Sequence, residues 1–395
     1  MDTQNTPVHA KLWHTTFWML AFACFFLTAA VYMQFVSLPS VLLSMNFSPT
    51  SVALAFGGYG VGLYLLGAKC SYLVQTYRRN NICIRSILGM IIVLGGIGLL
   101  SKESGYLPPR TYMWGYVALN LLLGAFYGLS QMILFSTLII DVCESFRRTE
   151  ANYVSGWFAR LALPIGPFIA IFILHISDFQ VNYWGSMGLA FIALCLISLV
   201  QFPFKAPDDE VPHYSLDRFF LPQSITLFCN QAIILIVVGI LLVNNFSMQF
   251  YFMVFLGLLS AVVSERFIFI NADLKSEIVT GHFAMIIALL LMLLKQQDTI
   301  VSMIEPVLIG FGVGIIGARF QLFFIKLSKH CQRGTSQSSF FLSWETGLLL
   351  GVVLGYLFFY DNLQIALITA LSISIASLLI YHFYTHRWYM ENKNR

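Results

Sequence analysis

The sequence predicts an all-α membrane protein whose chain crosses the bilayer twelve times. Apolar stretches of about 20 residues, long enough to span the hydrocarbon core of a bilayer, alternate with short polar loops along the chain. The composition supports this class, because 58% of the residues are hydrophobic and 10% are charged, against roughly 45–50% and about 25% in soluble domains. The apolar runs do not alternate in polarity, which argues against an outer-membrane β-barrel.

We place the predicted spans near residues 15–38, 50–74, 82–101, 112–140, 153–176, 182–202, 223–244, 247–268, 278–295, 299–327, 336–360 and 363–384. The first follows Lys11 as the apolar region of a signal peptide would. It is too long for that, however, and no small-residue cleavage site follows it, so we expect it to remain as a helix.

The longest polar loop follows the sixth span and divides the chain in two. It separates residues 1–203 from residues 223–395, with a central cytosolic loop at 204–222. This division predicts two six-helix bundles related by a pseudo-two-fold axis, an arrangement that is common in transporters.

Basic residues predict the orientation of the spans, since cytosolic loops of membrane proteins are enriched in Lys and Arg. If both termini are cytosolic, the outer loops keep Lys102, Arg110 and Lys295 as their basic residues. We therefore expect a multi-pass protein of the cytoplasmic (inner) membrane, in contact with the lipid bilayer. Because most of the basic residues lie in the predicted cytosolic loops, the net charge of +4 does not indicate a nucleic-acid partner.

The two halves of the sequence carry a weak internal repeat. Glycines and charged residues of one half match positions of the other half at a nearly constant offset. The matches are Gly124 and Gly128 with Gly310 and Gly314, Arg148 with Arg333, Arg160 with Glu345, and Gly166 with Gly351. Glycines four residues apart also allow helices to approach closely, which is an alternative explanation of the glycine pairs.

Short motifs at the ends of the spans are similar to those of the major facilitator superfamily over nearly the full length of the chain. They are Leu38-Pro39-Ser40 after the first span, Ser71–Asn80 after the second, Asp141 with Arg147-Arg148 after the fourth, Gly166-Pro167 in the fifth and Arg333-Gly334 after the tenth. The chain departs from the family pattern at Gln75, where an acidic residue is usual, and at Asn120, where an arginine is frequent. The Gly-Pro resembles part of the antiporter signature, so the chain looks like a bacterial efflux permease.

This resemblance implies that spans one, four, seven and ten line a central cavity that opens alternately to the two sides. The fourth span carries Asn120, Tyr127 and Gln131 on one face, because these residues are four or seven positions apart, and the seventh carries Asn230. We predict that these polar side chains line the solute pathway. The alternative is that they form hydrogen bonds between helices.

The tenth span carries two charges, Glu305 and Arg319, on one stripe. They lie about 21 Å apart along the helix axis, too far for a direct pair. Charges inside a bilayer are costly and usually face a cavity or a partner. We predict a proton or cation site at Glu305 and an anion-facing or gating role for Arg319. The alternatives are a solvated Glu305 at the outer interface and an Arg319 that extends to the cytosolic edge.

Arg160 and Glu345 are predicted to lie near the middle of the membrane, each about 18 Å beyond its loop arginine at 1.5 Å per residue. They either pair with each other or meet separate partners, such as Lys69 for Glu345. If the partner of a buried carboxylate moves away during a conformational change, proton uptake becomes tied to that change. The alternative is a static salt bridge between the halves.

Charged residues at the cytosolic ends of the spans are candidates for a cytosolic gate that joins the halves when that side is closed. They are Arg78, Arg79, Asp141, Glu265, Arg266 and Arg333. The alternative is that the basic members of this set serve topology and lipid contact.

The function predicted from these features is secondary transport of a small amphipathic or zwitterionic solute by a monomer. The sequence contains no nucleophile elbow, phosphate-binding glycine loop or HExxH motif. We therefore expect no enzymatic activity, no metal and no cofactor, and an ion gradient of protons as the driving force. Proton-coupled efflux is favoured, and an uptake symporter or a non-transporting receptor or assembly subunit are the alternatives.

Overall fold

A computed structural model describes residues 12–102, 108–202, 211–294 and 300–393 of the chain. These residues contain 12 helices that are long and apolar enough to cross a membrane, and no strand, so the all-α prediction is confirmed. The helices are α1 Thr15–Ser44, α2 Pro49–Thr76, α3 Arg79–Lys102, α4 Pro109–Asp141, α5 Arg148–Ile176, α6 Phe179–Ser198, α7 Pro222–Val243, α8 Met248–Phe267, α9 Leu274–Leu294, α10 Val301–Leu327, α11 Arg333–Phe359 and α12 Leu363–Asn392.

Part of the charge argument concerns residues outside this description. Lys11 and Lys295 lie outside the described residues, as do the predicted boundary at 203–204 and the first part of the central loop. The division of the chain into residues 1–203, 204–222 and 223–395 stays a prediction. Below, α1–α6 are called the first half and α7–α12 the second half.

Two helices extend beyond their predicted ends. The regular helix of α1 is interrupted at Met33 and continues as Gln34–Ser44 with Pro39 inside it, so Leu38-Pro39-Ser40 lies within the helix. The hydroxyl of Ser40 donates to the carbonyl of Val36, a local bond that such hydroxyls make inside helices. Helix α12 continues to Asn392, and Tyr389 is buried on this extension.

The helix pairs of the first half recur in the second half. Helix α2 packs on α4 as α8 packs on α10, α1 on α5 as α7 on α11, and α3 on α6 as α9 on α12. A Cβ built on Gly124 would lie 2.1 Å from the carbonyl oxygen of Tyr59, and one on Gly310 would lie 2.1 Å from that of Val254. The glycine pairs seen in the sequence therefore make equivalent close contacts between helices in the two halves.

Helices α5 and α11 connect the halves. Helix α5 packs on α1 of its own half and on α8 of the other, while α11 packs on α7 of its own half and on α2 of the other. Because Arg160 lies on α5 and Glu345 lies on α11, both charges are carried to the interface between the halves.

We call one end of the helix bundle the terminal face. It is the end at which α1 begins, α2 and α4 end, α3 and α5 begin, and residues 211–221 cross between the halves. His14 at the start of α1 lies 3.0 Å from the carbonyl oxygen of Val142, just after α4. The backbone N–H of Ser215 donates to the carbonyl of Ala68 in α2, and that of Leu221 donates to Ser339 in α11. The central loop therefore contacts both halves at the terminal face.

Candidate functional site

A cavity lies between the two halves. Its lining comes from α1, α4, α5, α10 and α11. The polar and charged residues of this lining are Thr28, Tyr32, Tyr127, Gln131, Arg160, Gln321, Gln337 and Glu345, and the large apolar ones are Phe135, Phe340, Phe341 and Trp344. The cavity thus combines aromatic surfaces, amides and two opposite charges.

Glu345 of α11 is 1% exposed and is held by hydroxyl groups of the first half. Its Oε1 accepts hydrogen bonds from the Tyr32 hydroxyl at 2.7 Å and from the Tyr127 hydroxyl at 3.3 Å. The indole N–H of Trp344 donates to the Tyr32 oxygen at 3.2 Å. The other carboxyl oxygen of Glu345, Oε2, has no hydrogen-bond partner in the described part of the chain. One side of this carboxyl group is therefore fixed and the other is free.

Arg160 of α5 is 2% exposed and is held by the second half. Its Nη1 donates to Oε1 of Gln321 in α10 at 2.8 Å, and its guanidinium carbon lies 4.3 Å from the centre of the Trp157 ring. Among the described residues, Nε and Nη2 have no hydrogen-bond partner. The predicted pair between Arg160 and Glu345 is not formed, although both line the same cavity.

The proposed partnership of Glu345 with Lys69 is also not found. Lys69 lies near the terminal face, with its ammonium 5.4 Å from the centre of the Tyr214 ring. Both charges are buried, and each has separate partners, as one of the two alternatives proposed, although Lys69 is not the partner of Glu345.

Gln321 is a member of the site that the sequence analysis missed. Its amide nitrogen donates to the Asn152 carbonyl at 2.7 Å and to Oε1 of Gln337 at 3.0 Å, which leaves its oxygen directed to Arg160. A Cβ on Gly156 would lie 2.3 Å from Oε1 of Gln321, so α5 and α10 meet closely here. Gln321 lies two positions from Arg319. Its polar side chain on an otherwise apolar helix is the feature by which the sequence could have identified it as a site residue.

The fourth span behaves as predicted in part. Tyr127 and Gln131 line the cavity, and the amide of Gln131 donates to Thr28 at 2.8 Å. Asn120 is not a lining residue. Its amide donates to the carbonyl of Tyr116 one turn earlier at 2.9 Å.

The seventh span does not contribute to the lining, and the prediction for Asn230 is corrected. The Asn230 amide donates to the carbonyl and the hydroxyl of Ser377 in α12, at 3.2 and 3.3 Å. It is a contact between helices of one half. Helices α5 and α11 provide lining instead.

Arg319 lies in an ionic cluster rather than in the cavity. Its Nε lies 2.5 Å from Oε2 of Glu277 in α9 and 3.7 Å from Oε1 of Glu265 in α8. The hydroxyl of Tyr153 in α5 donates to Oε2 of Glu265. This cluster, made of Glu265, Glu277 and Arg319, thus has a hydrogen bond from the first half. Arg319 thus faces two carboxylates of its own half, and a gating role for it stays a prediction.

Glu305 lies in the second turn of α10, at the end of the bundle opposite the terminal face, and is partly exposed. It makes no ion pair with any residue that the structure describes, and it is not among the residues of the cavity wall. This position agrees with the alternative of a solvated carboxylate near an interface.

The predicted gate is only partly formed by the residues proposed for it. Arg79 pairs with Asp141, but α3 and α4 belong to the same half, so this pair does not join the halves. Arg78 lies exposed before α3. Within the described ranges, Arg266 and Arg333 form no ion pair. Of the predicted set, Glu265 makes a contact between halves, through Tyr153.

Asp217 of the central loop makes the connection that was expected of the arginines. Its Oδ2 accepts from the Ser71 hydroxyl of α2 at 3.2 Å, and its Oδ1 accepts from the Thr335 hydroxyl of α11 at 2.9 Å. We call these bonds the Asp217 bridge. A Cβ on Gly334 would lie 2.7 Å from the carbonyl oxygen of Ser136, so α11 and α4 also meet closely. The halves are therefore in direct contact at the terminal face.

Comparisons with known proteins agree with this architecture. The family model described as Major Facilitator Superfamily matches residues 20–352, and a search of curated proteins gave no match. The human organic anion transporter MFSD10 (TETRAN) superposes with a TM-score of 0.69 at 11% identity, covering 92% of this chain and 98% of that one. A D-xylose-proton symporter gives 0.69 at 13% identity over 93% and 96%. A bacterial homologue of the iron transporter ferroportin, in an outward-facing state, gives 0.65 at 11% over 95% and 99%.

Proposed function

Because the chain belongs to the Major Facilitator Superfamily, we propose that it is a secondary transporter that moves a small polar solute by alternating access. The observation that carries this proposal is the pair of buried, opposite and mutually unpaired charges, Arg160 and Glu345, in one cavity between the halves. Charges buried in a membrane protein are costly and mark substrate or ion pathways.

We assign the coupling role to Glu345 and protons as the coupling ion. Glu345 belongs to the second half, while the donors Tyr32 and Tyr127 belong to the first half. When the halves separate to open the cavity, the carboxylate loses the donors that stabilise its charge. Its protonation is thereby linked to the conformation of the transporter.

The direction we propose is efflux across the cytoplasmic membrane by a monomer, in exchange for protons and with both termini in the cytosol. The basis for exchange is Gly166-Pro167 in α5, which resembles part of the antiporter signature and lies where α5 packs closely on α1, a Cβ on Gly166 being 2.8 Å from the carbonyl oxygen of Ala29. Uptake by symport is the second candidate. It is favoured by the charges of the cavity, because an anion and a proton can enter together without changing the net charge.

Flux in proteoliposomes tests the proposal after a ligand has been found by thermal shift. Organic acids, amino acids, sugars and drugs are screened at two pH values, since a ligand that binds the native state raises its apparent stability. The radiolabelled hit is then placed on one side of the membrane and a pH gradient is imposed in each direction. Exchange predicts movement against the proton gradient, symport predicts movement with it, and a proton ionophore abolishes both. Binding without flux under either gradient identifies a receptor and overturns the proposal.

A further inference from the structure

One edge of the Arg160 guanidinium group makes no hydrogen bond with the described residues. Nη1 is used by Gln321, and the flat face lies over the Trp157 ring. The two remaining atoms without a partner, Nε and Nη2, are adjacent on the same edge of the group, and both are buried. Parallel N–H groups on one edge are the geometry that binds the two oxygens of a carboxylate.

We propose that the solute is an organic monocarboxylate whose carboxylate binds the Nε–Nη2 edge of Arg160. This inference rests on the proposed transport function in its second form, uptake by symport, because the solute and a proton bind together, and it adds the class of the solute. No carboxylate of the described residues lies within ion-pair distance of Arg160, so the anion that this edge requires is not supplied by the chain. An unpaired buried charge is unfavourable, and the ligand removes that cost.

The surroundings of Arg160 fix the orientation of this edge. Gln321 is held by the Asn152 carbonyl and by Gln337, so its oxygen keeps Nη1 in place. The Trp157 ring covers one face of the guanidinium group and limits how far the group can tilt. A donor pair that is ordered before the ligand arrives binds with less loss of entropy.

The remaining wall of the cavity indicates the body of the solute. Phe135, Phe340, Phe341 and Trp344 line the same space, and an aromatic lining suits an apolar or aromatic group attached to the carboxylate. The ligand carries a single negative charge, because Glu345 is already present in the cavity and a dianion would leave an excess of negative charge in a buried space.

Binding of the anion is linked to the protonation of Glu345. With the anion present, the cavity holds two carboxylates and one guanidinium, and a proton on Glu345 restores neutrality. The titratable groups around Glu345 are Tyr32 of α1 and Tyr127 of α4, which donate to it, with Tyr59 of α2 further away, and Arg160 of α5 lines the same cavity. Glu265 is the carboxylate whose charge acts on Arg160, and it already accepts from Tyr153 and pairs with Arg319. Glu345 is therefore the group that takes up the proton.

The test measures binding to the purified full-length protein by quenching of tryptophan fluorescence and by calorimetry. The probes are the monocarboxylates benzoate, phenylacetate, indole-3-acetate and octanoate, with benzamide as the neutral analogue and phenyl phosphate as the dianion. At least one monocarboxylate is expected to bind, more tightly at mildly acid than at neutral pH, with proton uptake. Benzamide is expected to bind at least about tenfold more weakly, as the loss of one charge-assisted bond pair implies. Phenyl phosphate is expected to bind more weakly than the best monocarboxylate at neutral pH, because its second charge is left without a counter-charge in the cavity.

Variants separate the binding edge from a general effect of charge. Arg160→Lys keeps the charge and loses the paired donors, so it is expected to weaken carboxylate binding by about tenfold or more. Arg319→Lys changes a paired arginine outside the cavity and is expected to bind as the wild type does. Glu345→Gln is expected to bind the carboxylate with no dependence on pH. Thermal unfolding of each variant checks that it is folded.

The proposal is overturned if none of the four monocarboxylates binds, if benzamide binds as tightly as the best of them, or if Arg160→Lys binds like the wild type. Proton-coupled flux of a sugar or an amine would then still support the proposed function. In the reverse case, Arg160-dependent binding of a carboxylate without flux keeps this site and removes the transport function.

Discussion

Arg160 and Glu345 occupy equivalent places in the two halves of the molecule, yet they carry opposite charges and use different supports. Arg160 is fixed by an amide, Gln321, and by an indole ring, whereas Glu345 is fixed by two phenolic hydroxyls. Each charge belongs to one half and takes its hydrogen bonds from the other half. The repeat thus provides the common geometry, and the residues that have diverged provide the chemistry of solute and proton.

A second contrast lies near the terminal face. The first half has one pair, Arg79 with Asp141, whose side chains are 16% and 21% exposed. The second half has the cluster of Glu265, Glu277 and Arg319, in which the Glu277 side chain is 2% exposed. Two carboxylates share one arginine there. The outer pair is mainly an electrostatic contact of modest value, while the cluster depends on every one of its members.

The largest effect is expected when the negative charge of the cavity is removed and the positive charge of Arg160 is kept. Glu345→Gln removes the ionisable group while it keeps the size of the side chain and its capacity to accept from Tyr32. We expect flux driven by a pH gradient to fall to the level of empty liposomes, with thermal stability within a few degrees of the wild type.

The matched control is Glu305→Gln, which neutralises a partly exposed carboxylate of α10 that lies outside the cavity. It is expected to keep pH-driven flux. Normal transport by Glu345→Gln would show that Glu345 has no coupling role, and equal losses in both variants would point to a general effect of charge.

The next effect concerns stability and sharpens the contrast between the two ionic sites. Arg319→Gln leaves two buried carboxylates without their cation, and breaking a buried pair in this way costs about 3–5 kcal/mol. Arg79→Gln leaves a single, less buried carboxylate without its partner, which should cost less, about 1–3 kcal/mol. Unfolding in detergent measures both. Because protonated carboxyls tolerate burial better, the cost of Arg319→Gln should shrink as the pH is lowered. Equal costs would contradict the distinction.

The equivalence of the halves can be tested at their glycines. Gly124→Ala and Gly310→Ala each place a Cβ 2.1 Å from a backbone oxygen of the neighbouring helix, so both force helices apart. We expect a loss of about 1–3 kcal/mol in each. Gly188→Ala is the control, because a Cβ there meets nothing within 4 Å, and it should be neutral or stabilising by up to about 1 kcal/mol. Unequal losses at Gly124 and Gly310 would show that the halves have diverged in packing.

The sequence alone predicts the features that depend on a single helix. Spans follow from apolar length, and the cost of a buried charge singled out Arg160 and Glu345. Partners could not be found in this way. The amide of Asn230 is satisfied by Ser377 of α12, and Arg319 is satisfied by Glu277 and Glu265 of two further helices. A polar residue in an apolar helix shows that a partner is required, but the tertiary arrangement decides which helix supplies it.

The smallest effect is expected at the Asp217 bridge, which joins α2 of the first half to α11 of the second. Asp217→Ala removes two hydrogen bonds that hold the terminal face closed, while the cavity residues are unchanged. Because the Asp217 side chain is 46% exposed, each bond contributes at the lower end of the usual range, about 0.5–1 kcal/mol net. The loss of both bonds should raise the population of the state open at this face roughly 5- to 30-fold.

Alkylation of a cysteine introduced at Gln337, in a chain from which the exposed Cys229 and Cys331 have been removed, measures this change because Gln337 lines the cavity. A membrane-impermeant maleimide applied to the terminal face should react faster in Asp217→Ala by the same factor. Asp361→Ala alters an exposed carboxylate at the opposite end of α11 and should leave the rate unchanged. If the two variants react alike, the closure of the terminal face depends on the helix contacts at Gly334 and Gly156, and the central loop only connects the halves.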